Sequence, residues 1–209
     1  MRKLSLLGAT STVLVCLLWT GIANAVSVNH ISNGTFDDDL SFWDTGGTLG
    51  VTWVEGEASV GQPGTLGSSF LGQSFGPVTA PELLVEFDYQ WQSSAPTIPD
   101  TFTVKLIDAA SDYIDVLVQD SDESGLVFNS SYAFSQIVSL AGLNTADPLT
   151  IQFHLKERNA SGGTRIRLDN VAVSPFPGAS PVPLPAAAWL FGSALVVFLT
   201  GSRRRCRNG

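Results

Sequence analysis

The chain has 209 residues, of which 44% are hydrophobic and only 14% charged, and its formal net charge is −8. All nineteen acids lie between Asp37 and Asp169, where only Lys105, Lys156, Arg158, Arg165 and Arg167 oppose them, so that stretch carries −14. A surface so acidic repels nucleic acid and anionic lipid and attracts divalent cations, which excludes a nucleic-acid-binding function.

Residues 1–25 read as a secretory signal peptide. Arg2 and Lys3 form a short basic start, an apolar run follows from Leu4 to Ile22, and Ala23-Asn24-Ala25 places small residues where signal peptidase needs them. Cleavage is expected after Ala25. Cys16 follows Val15, where a lipoprotein signal would carry a small residue, so lipidation is set aside.

Residues 26–173 read as one domain of workable core size. Short alternating runs are separated by Gly, Pro, Ser and Asp clusters, and strands are predicted at 51–55, 83–91, 101–106, 113–119, 149–156 and 166–173. In the clearest, Leu83, Val85, Phe87, Tyr89 and Trp91 share one face, with Leu84, Glu86, Asp88 and Gln90 on the other. No comparable amphipathic helix appears. The pattern predicts an all-β fold, an antiparallel β-sandwich of jelly-roll type, with loops at 61–67 and 93–99. In the last run Ile166 and Leu168 have one parity and Val171 and Val173 the other, so a bulge is expected at Asp169-Asn170. That bulge would leave the Asp169 carboxylate near buried surface, in need of a cation, hydrogen-bond donors or a raised pKa.

Residues 174–183 are rich in proline and read as an extended stalk. Beyond Pro181-Val182-Pro183-Leu184-Pro185, residues 186–200 carry no charge, and Arg203, Arg204, Arg205 and Arg207 follow. As a helix, residues 184–201 extend roughly 27 Å at ~1.5 Å per residue. That length crosses a hydrocarbon core of about 30 Å with the arginines on the cytoplasmic side. A proline motif, an apolar span and an arginine cluster in this order resemble the PEP-CTERM sorting signal, with Val182, Pro183, Leu184 and Pro185 matching its VPLPA variant. The resemblance covers residues 182–207 and departs from the commonest form at Leu184, where that form has Glu. It implies processing by an exosortase, a membrane-embedded cysteine peptidase of Gram-negative bacteria that make exopolysaccharide.

Catalytic constellations are thin. Cys16 and Cys206 both fall outside the domain, so it has neither a disulfide nor a thiol nucleophile. His30 and His154 fit no zinc-ligand spacing, and no Gly-x-Ser-x-Gly elbow positions a serine. Paired carboxylates for glycoside hydrolysis stay open, since acids are abundant. His154 lies on a polar strand face and is expected to be solvated. Trp53, Tyr89, Trp91 and Tyr113 are the candidates for a sugar-stacking platform, although Tyr89 and Trp91 share the face of Leu83, Val85 and Phe87 and so point to the core. Trp43 is expected to be a core anchor. The sequons at Asn33, Asn129 and Asn159 carry no weight in a bacterium.

Asn33-Gly34-Thr35-Phe36-Asp37, followed by Trp43, resembles the opening of galactose-binding-like jelly rolls, among them several carbohydrate-binding modules. Leu168-Asp169-Asn170-Val171 resembles their final strand. The resemblance implies a β-sandwich without catalytic activity, often with a structural calcium, and it sets Asp37 beside Asp169. Two carboxylates with backbone carbonyls and water suit calcium. The resulting expectation is a non-enzymatic, exported surface or matrix protein with a carbohydrate-binding-like module. Its partners would be signal peptidase, exosortase, the inner membrane and exopolysaccharide. A purely structural matrix component is the alternative, and a secreted glycan-active enzyme comes third.

Overall fold

The computed structural model describes residues 28–62, 66–92, 98–158 and 163–176. The expected signal peptide with Ala25, the sorting motif from Val182 to Pro185, the membrane span, the tail arginines Arg203, Arg204, Arg205 and Arg207, and the Asn159 sequon all lie outside these residues.

Ten strands form in order: β1 (Asp44–Gly47), β2 (Val51–Val54), β3 (Glu57–Val60), β4 (Gly67–Phe75), β5 (Glu82–Gln92), β6 (Thr101–Ile107), β7 (Tyr113–Asp120), β8 (Ser131–Ser139), β9 (Leu149–Glu157) and β10 (Arg165–Pro175). They make two antiparallel sheets, sheet A with order β1-β4-β9-β6-β7 and sheet B with order β2-β3-β10-β5-β8. The sub-orders β4-β9-β6-β7 and β3-β10-β5-β8 are those of a jelly roll, and β1 and β2 each extend an edge. The predicted sandwich is present. β10 takes in Ser174 and Pro175, the first two residues of the expected stalk, which pair with Leu84 and Leu83.

The core is made by alternation. Leu83, Val85, Phe87, Tyr89 and Trp91 on β5 are buried, as are Leu149, Ile151, Phe153 and Leu155 on β9 and Phe102, Val104 and Leu106 on β6. Phe153 is the hub, with its ring 5.2 Å from Phe87, 6.1 Å from Trp43 and 6.4 Å from Phe102. Such aromatic contacts add to the gain from area burial alone.

The chain's opening segment is fastened onto β10. Asp169 pairs with Asp88 and Ala172 with Glu86, so that Asn170 and Val171 on β10 oppose Phe87 alone on β5, which is the expected bulge, with Asn170 left-handed at φ 53°. Ile166, Leu168, Val171 and Val173 all reach the core through it. At this level Val171 N donates to Gly34 O at 2.9 Å, and His30 N donates to Val173 O at 2.7 Å. Phe36 is fully buried although its φ is 48°, a strained region for a bulky residue. Two indoles secure the turn: Trp43 Nε1 donates to Asn33 O at 3.0 Å and Trp53 Nε1 to Phe36 O at 2.6 Å.

A second fastening ties the two sheets where β9 ends. Glu157 occupies an inward position and is only 3% exposed, while Asp100, just before β6, is 1% exposed. Glu157 accepts long bonds from Gln62 N (3.3 Å) and Thr164 N (3.4 Å). Asp100 accepts short ones from Arg158 N (2.7 Å) and Thr164 Oγ1 (2.6 Å). Burial, with the negative Asp100 nearby, raises Glu157 from its ordinary 4.5 to about 7, despite lowering bonds from Gln62 and Thr164.

Two outcomes follow from these fastenings. A Cβ on Gly34 would lie 2.0 Å from Val171 O, so Gly34→Ala should cost about 2–3 kcal/mol in urea-unfolding free energy. The folded Glu157 carboxyl holds its proton more tightly than the unfolded one. Its contribution is therefore full below pH 4.5 and lost as pH rises through about 7. Unfolding stability should fall by on the order of 2 kcal/mol across that window, and Glu157→Gln should flatten the profile.

Candidate functional site

The outward side chains of the two sheets differ in chemistry. On sheet B, among the described residues, they include seven charged groups and no aromatic: Glu82, Glu86 and Asp88 on β5, Arg165, Arg167 and Asp169 on β10, and Glu57 on β3. Asp169 stands directly opposite Asp88, a repulsive arrangement between neighbouring strands. Arg167 offsets part of the charge by binding Glu57 at 2.8 Å. Asn170 Nδ2 donates to Asp88 at 2.8 Å and to Asp169 at 3.3 Å. Burial raises the pKa of half-buried Asp169, the backbone N–H of Asn170 lowers it, and Glu57, Asp88 and Asp37 raise it further.

Asp37, which the sequence expectation sets beside Asp169, is the last of the acids that raise the Asp169 pKa. Asp37 also accepts a 2.8 Å bond from Thr35 Oγ1. Among the described residues, no group of three or more His, Cys, Asp and Glu side chains is arranged to hold a metal ion.

Sheet A presents a different surface. Gly46, Phe70, His154, Thr103 and Val118 form one row across its five strands, and Asp44, Gly72, Gln152, Lys105 and Asp115 form the next. Gly46 is essential to the first row. A Cβ there would meet the Phe70 ring at 2.3 Å, so the absent side chain leaves room for the ring to lie over the edge strand. Beside this row, Ser74 and Thr150 hydroxyls meet at 2.8 Å. Tyr113, 55% exposed on edge strand β7, carries the Lys105 ammonium 3.8 Å above its ring, and Lys105 also lies 3.7 Å from Asp115. His154 is half-buried rather than fully solvated. Burial first, and then Lys105 and Lys156, hold its pKa below the ordinary value, which favours the neutral imidazole, a donor and an acceptor.

The four aromatic candidates separate cleanly. Tyr89 and Trp91 are core residues, Trp91 donating its indole N–H to Gln119 at 2.7 Å. Trp53 is 42% exposed, but its indole N–H is committed to the N-terminal turn, away from the sheet A face. Only Tyr113 stands on that face. Trp43 is buried as expected. Phe70 was not singled out from the sequence, although its parity opposite to Leu71 and Phe75 was the available signal. His30 packs on Phe75 with ring centroids 5.5 Å apart, far in the topology from His154. A shallow hollow of about 370 Å³ beside the end of β8 is lined by residues such as Thr79, Pro81, Leu140 and Thr145, with no charged or aromatic side chain.

Such a face, with one half-buried ring, one exposed ring and neutral amide, hydroxyl and imidazole groups, suits a polyhydroxylated ligand. Rings stack on the apolar faces of sugars, and the polar side chains bond their hydroxyls.

No family model and no curated protein matches the sequence. Solved structures do. TmCBM61, determined in complex with β-1,4-galactotriose, is 14% identical with a TM-score of 0.51, over 70% of this chain and 98% of its own. The xylan-binding module CBM15 is 9% identical with a TM-score of 0.51, over 74% of this chain and 99% of its own. At such identities the likeness is one of fold: the described residues form a β-sandwich of the kind found in carbohydrate-binding modules.

Proposed function

We propose that this chain is an exported, non-catalytic carbohydrate-binding protein of the cell envelope that holds a glycan on the outer face of sheet A. The observation that carries the reading is Phe70, laid over Gly46 on a face that also presents the hydrogen-bonding side chains of Gln152, His154 and Thr103. The sandwich shared with carbohydrate-binding modules supports it. Sheet B, rich in carboxylates and without an outward aromatic, lacks these means.

The chain ends complete the proposal. Signal peptidase would cut after Ala25, and residues 184–201 would hold the precursor in the inner membrane with the arginines inside. An exosortase would then recognise Val182-Pro183-Leu184-Pro185 and hand the domain to the surface or matrix, where exopolysaccharide is the natural glycan. A structural calcium is also proposed at Asp37 and Asp169. The repulsion of Glu57, Asp88 and Asp37 on Asp169 is what a hard cation would relieve, with carbonyl and water oxygens completing its shell.

Two measurements test these statements. On a glycan array the full chain should bind at least one oligosaccharide class, and Phe70→Ala should weaken that binding about tenfold. Binding to no glycan would favour the purely structural matrix protein instead. With calcium at about a hundred times its dissociation constant, stability should exceed that in chelator by about 2.7 kcal/mol, and Asp169→Ala should abolish the difference. Identical melts with calcium and chelator would remove the metal from the reading.

A further inference from the structure

We propose that the glycan held on sheet A is acidic: a sugar unit bearing a carboxylate or sulfate docks on a basic ridge along β9 while a neighbouring unit of the same chain rests on Phe70. This inference depends on the reading of sheet A as the binding face. β9 is the middle strand of that sheet, and its outward positions run Thr150, Gln152, His154 and Lys156, with exposed Arg158 just past the strand end. The ridge therefore holds two cations, a histidine and no acid. Lys105 joins it from β6, opposite Gln152.

Three of the five basic residues in the acidic stretch gather here. The other two, Arg165 and Arg167, are on sheet B and bonded to Gln92 and Glu57. The acids of the sheet A face stand at its flanks, Asp44 on β1 and Asp115 and Asp120 on β7. Asp115 is the ion-pair partner of Lys105, and Asp120 accepts the Thr101 hydroxyl at 2.7 Å. Lys156 and Arg158 make no ion pair among the described residues.

His154 reports the local field. Besides burial, the groups that shift its proton affinity are Lys105 and Lys156, and no acid contributes. The cations nearest His154 are thus grouped on one face, although the whole stretch carries −14. At physiological ionic strength charges beyond about 8 Å are largely screened. An anion on the ridge therefore feels the neighbouring ammonium groups more than the carboxylates of sheet B. Phe70 pairs with His154 across strands about 4.8 Å apart, and its ring lies towards Gly46 on β1. An oligosaccharide crossing from β1 to β9 would therefore meet the ring with one unit and the cations with the next.

Calorimetric titration of the full chain in mild detergent decides the matter, using neutral xylo- and galacto-oligosaccharides, an oligogalacturonate, a sulfated galactan fragment and a single-stranded oligonucleotide. One acidic sugar should bind about tenfold tighter than neutral chains of equal length, and its affinity should fall as salt is raised to roughly 0.3 M. Lys156→Gln and Arg158→Gln should each weaken it about fivefold, and more than they weaken the neutral probes. The preference between uronate and sulfate identifies the anionic group. Equal affinity for neutral and acidic sugars, both abolished by Phe70→Ala, would overturn the acidic ligand and spare the face. Binding of no sugar would overturn both, and equally tight binding of the oligonucleotide would overturn the glycan as the recognised class.

Discussion

Where Val171 donates its N–H to the Gly34 carbonyl, the two chains approach so closely that no side chain fits on Gly34. Much of the sandwich follows from that contact. The bulge at Asp169-Asn170 rotates β10 so that Val171 and Val173 return to the core, and it is this rotated backbone that meets the N-terminal turn. The turn in turn drives Phe36 inward, 5.3 Å from Trp43, which lies 6.1 Å from Phe153 at the centre of sheet A. A constraint on β10 in sheet B is thereby transmitted through three aromatic rings to β9, the strand that carries His154 and Lys156. Phe36 stays in a left-handed conformation because its surroundings over-determine it, with its carbonyl held by Trp53 and its ring enclosed.

The strands that were legible in the sequence are those whose two faces differ sharply. β5, β6 and β9 alternate large apolar with polar residues, and period-two alternation is what a half-buried strand writes into a sequence. The β10 bulge was legible for the same reason, since a slip in parity between two apolar pairs has few other solutions. β1, β3, β4 and β8 were not legible. β4 buries Ser69 and Gln73 and turns Phe70 outward, so its apolar residues fall on both faces. Gln73 is buried because it exchanges two bonds with Ser32 of the opening segment, a partner 41 positions away that no local pattern announces. In β8, Tyr132, Phe134 and Val138 face inward, but serines and Gln136 between them dilute the signal. β1 reads Asp-Thr-Gly-Gly and exists because β4 pairs with it.

The candidate site was legible only in part, and the reason is physical. Aromatic identity is visible in a sequence, but which of two sheets a residue faces is a property of register across strands far apart in the chain. Tyr113 could be named and Phe70 could not, because the glycine that makes room for the Phe70 ring lies 24 positions earlier, on a strand without a pattern. The lowered pKa of His154 likewise depends first on its burial and then on Lys105, which reaches it through the pairing of β6 with β9. Of the acids whose charge acts on Asp169, only Asp37 was named from the sequence, through the resemblance of the opening segment. Asp88 and Glu57 joined it through β5 and β3.

With no cysteine between residues 17 and 205, this sandwich has no covalent brace, and its two polar fastenings do different work. The N-terminal turn grips β10 near Val171 and Val173, while Thr164, bonded to Asp100 and Glu157, grips it just before Arg165. Held at both levels, β10 fixes β5 and β3 on one side, and through the aromatic core it fixes the strands of sheet A. A stiff sheet presents its outward side chains already in place, so a ligand loses little affinity to ordering them. That would suit the proposed glycan face, on which Phe70 and Tyr113 are the large rings of the strands and affinity would come from a few groups correctly spaced. The same logic explains why the two faces differ. Acids on sheet B are tolerated beside arginines, asparagine and water, whereas a carboxylate in the middle of sheet A would stand beside Phe70 and cancel the cations that give the face its character.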